Sequence, residues 1–204
     1  MTTTQWRLMA ILMLLFFAGG RSADAAPRGR SLLAYWAFNC FTTCGDANLA
    51  PESIGLASAS MTSTFEPDAG VNESGTTLNS VPPYEARSAL TLRTGTGGIN
   101  NGRNLTWRVS TVGQSNIQVS FAARRSPGGF GANQFQYSLD GLVFTDVDGS
   151  FDVGSAFAVV SYDLRRIRGL ADNPNAAFRI VFNGGSSSSA EEFFLVDNLQ
   201  VVAK

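Results

Sequence analysis

Apolar residues recur along this chain with a period of two. Ile117, Val119, Phe121 and Ala123 alternate with Gln118, Ser120 and Ala122, and Leu105, Trp107 and Val109 alternate with Thr106 and Arg108. Successive side chains of a strand point to opposite faces, so this spacing predicts half-buried strands. Segments of the same kind, rich in β-branched and aromatic residues, occupy 32–38, 59–65, 89–94, 105–110, 117–123, 135–139, 143–147, 158–164, 178–182 and 193–202. Clusters of Gly, Asn, Pro, Asp and Ser separate them, as turns require. Asp140-Gly141 between two of these runs predicts a hairpin. Two stretches break the pattern. Residues 66–87 read as a long connection with Pro67, Pro82 and Pro83, and 164–175 as a loop with one helical turn before Pro174. Residues 184–189 (GGSSSS) read as a flexible loop. About ten strands and no helix predict an all-β fold, an antiparallel jelly-roll-like β-sandwich. Its core is expected around Trp36, Phe38, Trp107, Phe121, Tyr137, Phe178, Phe182 and Leu195.

The N-terminus follows another rule. Arg7 precedes an apolar run, 8–18, that is shorter than the roughly 20 residues needed to span a bilayer. Gly19 and Gly20 end the run, and Ala23-Asp24-Ala25 supplies a small–x–small cleavage site. Residues 1–25 are therefore expected to be a signal peptide, and 26–204 a single secreted or extracellular domain without a membrane span.

Removing Arg7, Arg21 and Asp24 with the leader leaves 13 basic and 15 acidic residues, a net charge of −2. That balance provides no electrostatic footprint for nucleic acid or an anionic membrane. The chain has no histidine. A Ser-His-Asp triad and a His-based metal centre are thereby excluded. Cys40 and Cys44 are the only cysteines, and in an exported chain they are expected to form a disulfide across a short loop.

Five motifs occur in order: 100–111 (NNGRNLTWRVST), 122–130 (AARRSPGGF), 135–141 (FQYSLDG), 173–184 (NPNAAFRIVFNG) and 196–201 (VDNLQV). In this order they make the chain from Leu32 to Val202 resemble a jelly-roll β-sandwich module of secreted bacterial proteins. Such modules carry C-terminal sorting anchors or are appended to extracellular hydrolases and nucleases. The resemblance implies the fold and an extracellular life but no defined activity; together with the absent catalytic chemistry it leads to the expectation of a non-catalytic module that binds carbohydrate or another extracellular polymer. The alternative is a structural or adhesive protein acting through contacts with other proteins. With no sorting tail after Val202 and no catalytic partner domain in this sequence, the module is expected to act alone or in a complex.

Arg124 and Arg125 beside a glycine-rich loop, with Tyr137 and Asp140 of the hairpin, are the candidate ligand-binding residues. Paired arginines can grip a sugar hydroxyl, uronate or sulfate, or can instead salt-bridge to a neighbouring strand. Asp140-Gly141 is also explained as a turn. Asp197-Asn198 interrupts an otherwise apolar final strand, and a buried carboxylate needs a partner. In jelly rolls of this shape the last strand runs beside the first, which brings Asp197 towards Asn39 and the 40–44 turn. Calcium, a cation of hard oxygen ligands, held by Asn39, Asp46 and Asp197 is one answer. Backbone donors are the other. Asp146 with Asp148, and Glu191 with Glu192, are paired carboxylates of the kind used in glycoside hydrolysis, and Asp146 and Asp148 share strand parity, although outward-facing strands commonly carry such pairs. Asn72 and Asn104 match glycosylation sequons.

Overall fold

Alternating strands bury one face each by closing into two antiparallel sheets. The structure, a computed structural model, describes residues 29–39, 49–65, 69–186, 188 and 192–203, and the backbone alone for 69–73. Its strands are β1 (Ser31–Trp36), β2 (Ala59–Ser63), β3 (Ala69–Ser74), β4 (Ser88–Arg93), β5 (Asn104–Val109), β6 (Gln118–Arg125), β7 (Gln134–Ser138), β8 (Thr145–Asp146), β9 (Ala158–Asp163), β10 (Ala177–Val181) and β11 (Phe193–Ala203). One sheet runs β3-β4-β11-β6-β9, with β1 also on β11; the other runs β2-β5-β10-β7-β8. The result is the jelly-roll-like sandwich that the pattern predicts. The expected signal peptide, Cys40, Cys44 and Asp46 lie outside the described residues.

β11 organises the larger sheet because it is 11 residues long. Its first half pairs with β4, its second half with β1, and β6 follows it along the other edge. The expected adjacency of first and last strands is therefore present, with Trp36 opposite Leu199. Between the sheets lies an aromatic core. Trp107, Phe121, Phe135, Phe178, Phe182 and Phe194 are fully buried there. Phe135 stacks on Tyr162 with centroids 3.9 Å apart, and Phe182 meets Phe65 and Phe194 edge-on. Burying each such ring stabilises the fold by about 1.5–3 kcal/mol. Tyr137 packs against this core from a partly buried position. Leu195 is fully buried but belongs to the opposite face of β11, because Phe194 and Val196 take the inward positions.

The period of two breaks once in β11, and the break has a structural purpose. Val196 and Leu199 both face the core, so Asp197 and Asn198 form a bulge, seen as a register shift against β6. A bulge places two residues opposite one and re-aims side chains. Asn198 takes φ 49°, a left-handed conformation that Asn tolerates better than most residues.

The long connection 66–87 is only partly a connection. It contains β3, which pairs with β4 and adds an edge strand that the sequence pattern does not predict. The fragment AGVNES shows no clear alternation and contains Gly, so local pattern carries little strand signal there. The helical turn expected before Pro174 is a short 3-10 turn, Arg168–Leu170.

Candidate functional site

A sandwich has two outer faces, and here they differ. Residues 75–84 cross the outer face of the six-stranded sheet as a strap, pinned by the β11 bulge. The Asn198 Nδ2 group donates to the Thr76 and Leu78 carbonyls at 2.6 and 2.9 Å, and its Oδ1 accepts from the Tyr35 hydroxyl at 2.5 Å. Asn79 Nδ2 donates to the Asn198 carbonyl at 2.7 Å, while its Oδ1 accepts from Ser120 Oγ at 3.1 Å. Gln200 Nε2 donates to the Asn79 carbonyl. Tyr84 packs edge-on against Tyr35, with ring centroids 5.2 Å apart.

Asp197 supplies the remaining anchor. Its Oδ2 accepts from the Thr76 N–H at 2.7 Å and its Oδ1 from the Asn198 N–H at 2.8 Å. Burial pushes this carboxyl up to about 7, against the pull of those two N–H groups. Gly75 permits the approach, since a Cβ there would lie 2.6 Å from Asp197 Oδ2 and 2.4 Å from the Ser88 carbonyl. Asn39 ties the chain after β1 to the end of the strap: its Nδ2 donates to the Glu85 carbonyl at 2.9 Å, and its Oδ1 accepts from the Ser88 N–H at 3.3 Å. Among the described residues no three His, Cys, Asp or Glu side chains gather in a metal-sized group.

The candidate ligand residues are placed on two different sheets. Arg125 of β6 forms a two-pronged pair with Asp152, 2.6 and 2.8 Å long, and also donates to the Ser126 and Pro127 carbonyls. That pair holds the Asp152 carboxyl below its ordinary range. Arg124 lies over the rings of Phe157 and Phe193, 5.4 and 5.1 Å from their centroids. On β7 Tyr137 faces the core. Asp140 closes the hairpin: its Oδ1 accepts from the Leu142 and Val143 N–H groups, each at 2.8 Å, and from Ser138 Oγ. The Val143 and Leu142 bonds, then Ser138, hold its carboxyl low. The turn so fixed presents Leu142 and Val143 to solvent, 78% and 70% exposed.

The outer face of the five-stranded sheet is met by the turn after β7, whose Gly141 lies against Arg108 and whose Phe144 lies against Arg179, and Thr106, Ala177 and Ser138 on this face are buried. Strand register aligns Thr62, Thr106, Arg179, Gln136 and Asp146 in one polar row across all five strands. Cross-strand neighbours on one face contact each other. Asp146 Oδ1 accepts from Gln136 Nε2, and Gln136 Oε1 accepts from Arg179 Nε, both at 2.7 Å. The Arg179 guanidinium lies 3.9 Å over the Phe144 ring. Burial lowers the Arg179 pKa, opposed by the charge of Asp146. The next row holds Ser60, Arg108, Ala177 and Ser138. A depression of about 300 Å³ opens beside Arg108, lined also by Ser58, Ser60, Ser110 and Pro174.

Sequence reasoning missed this row because its members lie on five strands spread from Thr62 to Arg179. Each looks like an ordinary outward residue, and only register brings them together. Asp146 and Asp148, which share parity in sequence, address different partners. Asp146 bonds to Gln136 on the outer face, whereas Asp148, at φ 56°, lies where its charge raises the Tyr162 pKa after the larger effect of burial.

No family model matches the chain, and no curated protein matches it. Several solved structures are similar to it. The CBM22-1 xylan-binding domain from Paenibacillus barcinonensis Xyn10C is 12% identical, covering 86% of this chain and 98% of that one, with a TM-score of 0.45. CtCBM11 is also 12% identical over 89% and 98%, with a TM-score of 0.44. The K2 cleaved adhesin domain of Lys-gingipain is 14% identical over 70% and 88%, with a TM-score of 0.42. The fold stands on the strand pairing itself, and the site on its own geometry. No helix among the described residues is long and apolar enough to cross a membrane.

Proposed function

We propose that this protein is a secreted, non-catalytic binding module that lays an extended glycan across the outer face of its five-stranded sheet. The observation that carries the reading is the row Thr62–Thr106–Arg179–Gln136–Asp146, in which Asp146, Gln136 and Arg179 are joined by hydrogen bonds, on the face away from the strap. Sugars present hydroxyl donors and acceptors at their edges and flat C–H faces. The row matches the edges with hydroxyl, guanidinium, amide and carboxylate groups. The Arg179–Phe144 stack offers a planar surface to a ring face. Because Gln136 is held between Asp146 and Arg179, little side-chain freedom is lost on binding.

Isothermal titration against a panel of soluble polysaccharides tests this. Gln136→Ala and Arg179→Ala are each expected to weaken binding by about tenfold, the equivalent of about 1.4 kcal/mol, without altering the fold seen by circular dichroism. A panel in which no polysaccharide binds overturns the reading.

A second reading, adhesion through protein contacts, is favoured by the exposed apolar tip Leu142-Val143. Sedimentation of the Leu142→Asp, Val143→Asp variant tests it: wild-type self-association that this variant loses supports adhesion, and a monomeric wild type at high concentration counts against it.

Calcium at Asn39, Asp46 and Asp197 is a separate proposal with its own measurement. With a cation bound, EDTA lowers the melting temperature and calcium restores it, while Asp197→Asn responds to neither. Melting unaffected by EDTA leaves Asp197 as an acceptor of backbone N–H groups alone.

A further inference from the structure

We infer that the glycan taken by the five-stranded face is acidic, carrying carboxylate or sulfate groups that meet Arg108; this rests on the glycan reading above. Arg108 is exposed near the end of β5, beside the polar row. No hydrogen bond, ion pair or ring contact holds it among the described residues. Its diagonal neighbour Arg179 is committed to Gln136 and Phe144, and Arg125 on the other sheet is committed to Asp152. A guanidinium is charged at any relevant pH and offers a fork of N–H donors that matches a carboxylate or sulfate edge.

Several features surround that fork. Gly141 packs against it: a Cβ there would sit 2.0 Å from Arg108 Nη1, so glycine, whose φ of +72° the turn uses, admits the guanidinium. The nearby Asp140 carboxylate is taken up by two backbone N–H groups and a hydroxyl of its own turn, which leaves it bonded within the hairpin. Ala177, the neighbour of Arg108 on β10, is small and buried, so the platform is low beside the arginine. The depression along the Arg108 stem adds the serines at 58, 60 and 110 and contains no carboxylate. Such a pocket supplies donors to an anionic sugar and repels none of its charge. Of the acids near Arg108 and Arg179, Asp146 is taken up by Gln136 and Asp140 by its own turn, so neither is bonded to Arg108. A guanidinium with no bonded carboxylate favours a polyanionic chain over a neutral one.

The test compares polygalacturonate with the same polymer after its carboxyl groups are reduced to hydroxymethyl groups, with dextran and dextran sulfate as the neutral and sulfated arms. Wild-type protein is expected to bind the acidic polymers at least tenfold more tightly than their neutral counterparts, with affinity falling as salt rises. Arg108→Gln is expected to lose at least tenfold on the acidic polymers while keeping the wild-type melting temperature. Arg165→Gln, a distant exposed arginine paired with Asp163, should bind as wild type does. Binding of the sulfated arm but not polygalacturonate supports the inference with sulfate as the anion. Equal affinity for acidic and neutral polymers, or full affinity in Arg108→Gln, overturns the inference and leaves the glycan reading standing. Failure to bind any polysaccharide overturns both.

Discussion

Replacing Asn198 by Ala is expected to destabilise the domain by about 4 kcal/mol. Three side-chain hydrogen bonds disappear, to Thr76, Leu78 and Tyr35. Each is worth about 1 kcal/mol net, and buried carbonyls left unpaired add to that loss. The backbone adds its own term: Asn198 sits at φ 49°, and the left-handed region costs an alanine roughly 1 kcal/mol or more. At about 2–4 °C per kcal/mol for a domain of this size, the melting temperature should fall by roughly 10 °C. Asn198→Gly separates the two causes, because it removes the side chain but keeps the backbone freedom. Hydrogen exchange should show the amides of the strap, Thr76 above all, losing protection before the core strands do. A variant that melts within about 2 °C of wild type would mean that the strap does not depend on Asn198.

The second large effect is a stability that rises as the solution is acidified from neutral. Burial pushes Asp197 from an unfolded value of 3.8 up to about 7. Between those values the folded protein holds a proton that the unfolded chain has released, so folding gains as pH falls. The gain is complete below pH 3.8 and lost above pH 7. Its upper limit is about 4 kcal/mol, at about 1.4 kcal/mol per pH unit. Asp140, Asp152 and Asp163 act in the opposite sense, since hydrogen bonds hold their carboxyls low. Their contribution fades as pH drops through their folded values, which places the optimum near the acid end of the Asp197 window. Urea melts at pH 4.5, 6 and 7.5 should show this rise for wild type and a flattened profile for Asp197→Asn. A wild-type stability that falls steadily from pH 7.5 to 4.5 would mean that the N–H bonds from Thr76 and Asn198, rather than burial, govern this carboxyl.

Most of the strand set was determined by the sequence alone. Side-chain direction along a strand is a local property with a period of two, so runs such as 117–123 declare themselves without any partner. Turn chemistry is equally local: Asp140 closes its hairpin with its own neighbours, and Gly141 supplies the φ that the turn requires. The Asp197-Asn198 interruption was also visible, as two polar residues in succession where alternation called for one. Its meaning was not visible, because the partners of Asn198 lie some 120 positions away in Thr76 and Leu78. Tertiary structure decided β3 as well, since a segment without alternation becomes a strand only by pairing with β4. It also decided the site. Whether an outer face is covered depends on where a strap is anchored, and which polar residues share a row depends on register among strands distant in sequence. Arg124 and Arg125 stand out as a pair in the sequence, yet the fold commits Arg125 to Asp152 and lays Arg124 over two rings. Arg108, one charge in an ordinary alternating strand, gains its surroundings of Gly141, Ala177 and the serines of the depression from other parts of the chain.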